Sequence, residues 1–148
     1  LRKLGDLWDQ SLKGATPLTC MIIDADHFKK VNDSYGHNAG DIVLSELAKT
    51  IHDAVRNDDI ACRLGGDEFF VICPNTDKQG GLNVAEYVRK TVSELRVSVG
   101  DGEWHGSISI GLATRAANME NSHDLIKIAD DSVYMAKRNG KNCVRTRG

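Results

Sequence analysis

Two adjacent carboxylates, Asp67 and Glu68, follow a glycine pair, Gly65-Gly66, between the apolar runs Ile60–Leu64 and Phe69–Cys73. Strand formers on either side of a short Gly-containing segment predict a β-hairpin. Glycines at its tip let a ligand approach the backbone, because no Cβ stands in the way. Neighbouring carboxylates repel unless a cation compensates them, so the tip is either a cation site or an acidic, solvated turn. A second acidic segment, Asp24-Ala25-Asp26, stands where the apolar run Leu18–Ile23 meets polar residues. Mg²⁺ takes a few carboxylate oxygens, at times a carbonyl, and fills its shell with water or phosphate oxygens. Asp24 and Asp67 on paired strands have that chemistry. Glu68 extends it to a two-metal arrangement with ions ~3.5–4 Å apart, suited to attack at phosphorus. Taken alone, Asp24 equally fits a helix N-cap. His27-Phe28-Lys29-Lys30 offers backbone N–H groups and a cation to phosphates. Lys137-Arg138-Asn139-Gly140-Lys141 offers further cations, a pattern that also suits an ordinary helix C-terminus with its glycine stop.

The elements that must position these residues alternate along the chain. Leu1–Lys13 reads as a helix with Leu4, Leu7, Trp8 and Leu12 on one face. Leu18–Ile23 is a buried strand, and the polar segment Asp26–Gly40 opens with a short helix. An amphipathic helix starts near Asp41, which can cap it, and carries Leu44, Leu47, Ala48, Ile51 and Val55. After the hairpin, Val84, Val88, Val92 and Leu95 mark another helix. Val97–Val99 and Ser107–Leu112 read as strands joined through Gly100-Asp101-Gly102. Ser122 can cap a last helix bearing Leu125, Ile126, Ala129, Val133 and Met135, and Cys143–Arg145 closes the chain as a strand. This order predicts an α+β fold, helices packed on a mainly antiparallel sheet. Pairing of the Asp24 strand with the hairpin would gather three carboxylates at one point.

Composition narrows the function classes. At 148 residues with 41% hydrophobic and 27% charged residues, the chain has the make-up of one ordinary globular domain. A net charge of −2 gives no footprint for duplex nucleic acid. No apolar run approaches the ~20 residues that span a bilayer, so no direct membrane contact is expected and the domain reads as cytoplasmic. Cys20, Cys62, Cys73 and Cys143 lack metal spacing; three fall in predicted buried strands and read as reduced core thiols. The chain opens at Leu1 rather than Met, which points to one domain of a longer protein whose upstream regulatory domain is missing here.

Ile23-Asp24-Ala25-Asp26-His27-Phe28-Lys29-Lys30-Val31-Asn32-Asp33, followed by Tyr35-Gly36-His37 and Gly40-Asp41, resembles the first signature of the GGDEF family of diguanylate cyclases. Arg63–Phe69 resembles its namesake motif, and Ser109-Ile110-Gly111 with Tyr134–Asn142 its C-terminal signatures. The resemblance implies a palm-like fold similar to nucleotidyl cyclases. It also implies condensation of two GTP into cyclic di-GMP by a homodimer using Mg²⁺ or Mn²⁺. Asp24, Asp67, the Ala25 carbonyl and Glu68 would hold metal, with Asp67, Glu68 and Lys137 central to catalysis. Phe28, Lys29, Gly65, Gly66, Lys137 and Lys141 would face the triphosphate, and Asn32, His37 and Asp41 would complete the nucleotide site. A carboxylate at Asp41 suits the paired N1–H and N2–H donors of guanine, although a cyclase with relaxed base choice is a further reading. Arg56-Asn57-Asp58-Asp59 fits the family's RxxD pattern, so Arg56 and Asp59, with Arg89, would bind cyclic di-GMP as inhibitor; a surface ion pair is the plain alternative. Two departures stand out. The family's Asp-x-Leu-Thr signature is absent before Leu4, and Lys141 replaces the usual Arg, turning a two-pronged phosphate contact into a point charge. The reading from a different class is a catalytically silent module that binds GTP or cyclic di-GMP.

Overall fold

The computed structural model describes residues 2–147, so Leu1, placed by its sequence at the head of the first helix, falls outside them. Five helices and seven strands follow in the order α1 (Arg2–Gly14), β1 (Leu18–Ala25), α2 (Phe28–Tyr35), α3 (His37–Ala54), β2 (Ile60–Gly65), β3 (Glu68–Pro74), α4 (Lys78–Ser93), β4 (Val97–Val99), β5 (Gly102–Trp104), β6 (Ile108–Thr114), α5 (Ser122–Arg138) and β7 (Val144–Thr146). The main sheet runs β2-β3-β1-β6-β7; its first three pairings are antiparallel and β6–β7 is parallel. The mainly antiparallel α+β architecture is therefore as expected.

Successive strand residues point to opposite faces, so a strand covered on both sides is apolar throughout. β1 behaves this way. Met21 and Ile23 face a core shared with α2, α3 and α4, while Cys20 and Ile22 face one shared with α1 and α5. Burying each such side chain contributes about 1.5–3 kcal/mol, which anchors the strand that ends at Asp24.

Several expectations are corrected. Leu12 is 51% exposed, and Ser11 takes the inner position on α1 because its hydroxyl pairs with the Thr16 carbonyl and the Arg115 guanidinium. The run Ile60–Leu64 is an edge strand, not a buried one; Cys62 is exposed and Cys143 only partly covered, leaving Cys20 and Cys73 as core thiols. Burial pushes both of those thiols up, which keeps them protonated and inert. Helix α3 begins at His37, so Asp41 lies inside it and is not its cap. Asn121 caps α5, forming a reciprocal pair with Asp124, and Ser122 is the first helical residue. Gly100-Asp101-Gly102 does not lead into β6; it turns β4 back onto the three-residue β5, too short to show alternation in sequence. This separate ribbon packs against α2, with the Tyr35 ring filling the space where a Gly102 Cβ would stand.

Candidate active site

The register of β1 and β3 creates the site. Asp24 pairs with Glu68, and the Ala25 N–H donates to the Asp67 carbonyl at 3.2 Å, tying the hairpin tip to the end of β1. Gly65 and Gly66 have φ of +145° and +53°, conformations that disfavour any side chain, and a Cβ at either would meet nothing within 4 Å. The tip is thus shaped by glycine and open on its outer side. Arg63, which sequence reasoning passed over, straps it from beneath: its Nε and Nη2 donate to the Gly66 carbonyl at 3.0 and 2.7 Å.

Helix α5 brings a cation to the same point. Lys137 Nζ lies 3.7 Å from Asp24 Oδ1 and 3.0 Å from Asp26 Oδ1, and donates to the Ala25 carbonyl at 3.3 Å. Asp24, Glu68 and Lys137 line an open depression of about 310 Å³ together with Asp130, Asp131 and Tyr134. Asp130 was not singled out from the sequence. Its signal was there, however: it stands two helical turns before Lys137, on the same face.

One lysine does not neutralise this many carboxylates. Burial pushes the Asp24 carboxyl from an ordinary 3.8 up to about 6; Lys137 opposes the rise, and Asp67 and Glu68 add to it. Glu68 is raised as well, by burial and then by Asp130 and Asp67. Asp26 goes the other way: burial is outweighed by hydrogen bonds from Ser107, Ser109, Lys137 and the Asn142 backbone, which hold it below the usual range. Among the described residues no group of three or more His, Cys, Asp or Glu side chains is placed to hold a metal ion by itself. An open set of hard oxygens, with Lys137 standing where a cation is needed, fits Mg²⁺ or Mn²⁺ completed by phosphate, and does not fit zinc.

The Asp24 shift has a testable sign. Native protein holds this proton more tightly than the unfolded chain, so its contribution to stability is fully present below 3.8 and is lost as pH rises through about 6. In chelator at pH 7, Asp24→Asn is expected to melt above the wild type, with the gap closing toward pH 4. Equal melting temperatures at pH 7 would remove the inferred strain.

The residues assigned to the nucleotide lie beside this point on α2 and α3. Phe28 is buried at the start of α2, and Asn32 packs on Gly40 so closely that a Cβ there would strike its side-chain oxygen and stand 3.2 Å from the Phe28 ring. This contact sets Asn32 next to Asp41. Lys29, His37 and Asp41 are exposed, whereas Lys141 sits in a left-handed turn with its N–H on the Ala136 carbonyl at 3.0 Å. A cavity of about 450 Å³ lies behind α2 against β5; Asp26 and Asn142 line it, but Phe28, Lys29, Asn32, His37, Asp41 and Lys141 do not.

Arg56 and Asp59 occupy the turn between α3 and β2. The guanidinium pairs with both Asp59 oxygens at 2.9 Å and reaches Thr76 Oγ1 at 2.5 Å. Arg89 is not drawn into that cluster: its bonds run to Glu86 and, at 2.9 Å, to Asn142 Oδ1 beside the Lys141 turn. On α4, Tyr87 lines a groove with Asp53, itself a wall of the Arg56 depression.

The family described as "Diguanylate cyclase, GGDEF domain" matches residues 1–143. Diguanylate cyclase A of Treponema denticola is 42% identical over 127 residues, 86% of this chain and 34% of that protein. The response regulator PleD of Caulobacter vibrioides is 40% identical over 144 residues, 96% of this chain and 32% of its own length. The chain thus spans about a third of these relatives. Among solved structures, the GGDEF domain of DgcB from Caulobacter crescentus in complex with c-di-GMP superposes with a TM-score of 0.91 at 29% identity, covering 97% of this chain and 85% of that one.

Proposed function

From the premise that this chain belongs to the GGDEF family of diguanylate cyclase domains, we propose that it condenses two GTP into cyclic di-GMP with release of two pyrophosphates. The observation that carries the reading is the meeting of Asp24, Glu68 and Lys137 across the β1–β3 register, with Asp67 at the same tip. In each half-reaction a ribose 3′-oxygen bonds to the α-phosphorus of the other GTP, the bond from that phosphorus to pyrophosphate breaks, and the hydroxyl proton departs. Asp24, Asp67 and the Ala25 carbonyl, with Glu68 beside them, would hold Mg²⁺ or Mn²⁺, which would supply positive charge at the reacting oxygens. Lys137 meets the charge that builds on phosphate oxygens, and Lys29 and Lys141 hold the triphosphate. Asn32 and Asp41 read guanine. Each protomer binds one GTP, so turnover requires two domains face to face.

The Arg56–Asp59 pair is the product site in this reading. Its guanidinium is aimed by Asp59 and half exposed, free to meet a phosphate or guanine. No helix among the described residues is long and apolar enough to cross a membrane.

GTP turnover with Mg²⁺, followed by chromatography over a range of protein concentrations, tests this. Cyclic di-GMP is expected to rise more steeply than linearly with protein, and added product is expected to inhibit wild type but not Arg56→Ala. Bound GTP with no dinucleotide at any concentration would turn the reading to a silent binding module. Mixed dinucleotides in ATP/GTP competition would remove Asp41 as a guanine reader.

A further inference from the structure

Asp26 is the carboxylate of the site whose oxygens are already fully engaged by the protein. Its side chain is 0% exposed, and all four of its acceptor positions are taken. Oδ1 accepts from Ser109 Oγ at 2.6 Å and Lys137 Nζ at 3.0 Å; Oδ2 accepts from Ser107 Oγ at 2.6 Å and the Asn142 N–H at 3.0 Å. The Asp26 N–H donates to the Ser107 carbonyl at 2.9 Å. Two partners therefore come from β6, the neighbour of the central strand, and from the residue just before it. The other two come from the end of α5 and the loop after it, an ammonium on a flexible four-carbon stem and a backbone N–H.

That loop is held in an unfavourable form. Gly140, Lys141 and Asn142 have φ of +107°, +65° and +47°, a left-handed run containing two non-glycine residues. It is tied by the Asn142 N–H to Asp26, by Lys141 N–H to the Ala136 carbonyl at 3.0 Å, and by Arg89 Nη1 to Asn142 Oδ1 at 2.9 Å.

We propose that Asp26 is the positioning residue of the triphosphate site, aiming Lys137 directly and Lys141 through the 140–142 turn. The inference rests on the nucleotide-binding reading above. A lysine ammonium is a point charge on a flexible stem, and fixing it before the ligand arrives removes an ordering cost from binding.

Asp26→Asn tests it, because the amide keeps the shape but has a single acceptor oxygen. Either Lys137 or the Asn142 N–H must then lose its partner. In calorimetric titration with a non-hydrolysable GTP analogue and Mg²⁺, Asp26→Asn is expected to bind on the order of tenfold more weakly, the scale of one charged hydrogen bond. The control is Ser107→Ala/Ser109→Ala, which keeps the charge and the Lys137 and Asn142 partners; it is expected to melt lower yet bind the analogue as the wild type does. Wild-type affinity in Asp26→Asn overturns the inference, as does an equal affinity loss in the serine variant. Wild-type protein that binds no analogue overturns the nucleotide reading itself and this inference with it. A measurement on unmutated protein covers an Asp26→Asn that does not fold. The Lys137 ammonium, assigned by its loss in Lys137→Met, is expected to exchange protons with water at least ~10-fold more slowly than solvated lysines. Exchange at the solvated rate overturns the inference.

Discussion

Asp24→Asn is expected to slow cyclic di-GMP formation on the order of 10³-fold, about 4 kcal/mol of transition-state stabilisation, in a protein that melts no lower than the wild type. Asp24 stands at the end of the central strand, opposite Glu68 and 3.7 Å from Lys137, where burial and neighbouring carboxylates make its charge costly to the fold. That cost has a use only if a cation arrives to offset it. The amide keeps the shape of the side chain, removes the charge, and leaves any metal one anionic ligand short. Stability and activity should therefore move in opposite directions, the pattern of a strained functional site. Dinucleotide formation at saturating Mg²⁺ and GTP and matched protein concentration measures the first quantity, and thermal melting in chelator the second. Activity within tenfold of wild type would show that Asp24 holds no metal.

Gly111→Ala is expected to cost about 3 kcal/mol or more and to lower the melting temperature by roughly 10 °C. Gly111 lies on β6 directly beneath α5. A Cβ there would collide with the Val133 backbone nitrogen and the Ala129 carbonyl oxygen, and would stand 2.7 Å from the Ser132 carbonyl carbon. These are backbone atoms of a 17-residue helix, and no rotamer change can move them aside. The helix must shift as a body, and it carries Lys137 and Asp130 with it. The surviving folded fraction is thus expected to lose activity too. Gly5→Ala is the matched control: inside α1, with nothing within 4 Å of its Cβ, it is expected to stabilise by ~0.5–1 kcal/mol through helix propensity. A Gly111→Ala protein that melts with the wild type would mean that α5 does not pack as described.

What the amino-acid sequence determined by itself is local. Runs of strand formers on either side of Gly65-Gly66 specify the hairpin, helical spacing of Val84, Val88 and Val92 specifies α4, and the carboxylates and lysines that can do phosphoryl chemistry are visible as residue types. Each of these depends on neighbours within a few positions, which is where propensity and periodicity act. Partnerships between distant segments were decided only by the tertiary structure. Asp26 reads as a polar residue in a loop, yet it becomes the buried hub because β6 and the residue before it bring Ser109 and Ser107, and α5 brings Lys137, to one point. Asp130 reads as one of two surface acids until α5 turns it toward Glu68. Arg89 matches a pattern, but its bonds run to Asn142 and not to Arg56. Ile60–Leu64 has the composition of a core strand and is an edge, because sheet order is set by which strands pair and not by their own residues. Helix and strand are encoded at short range; the site is assembled by sheet register and helix packing, whose contacts join residues up to 116 positions apart, as in the bond from Asn142 to Asp26.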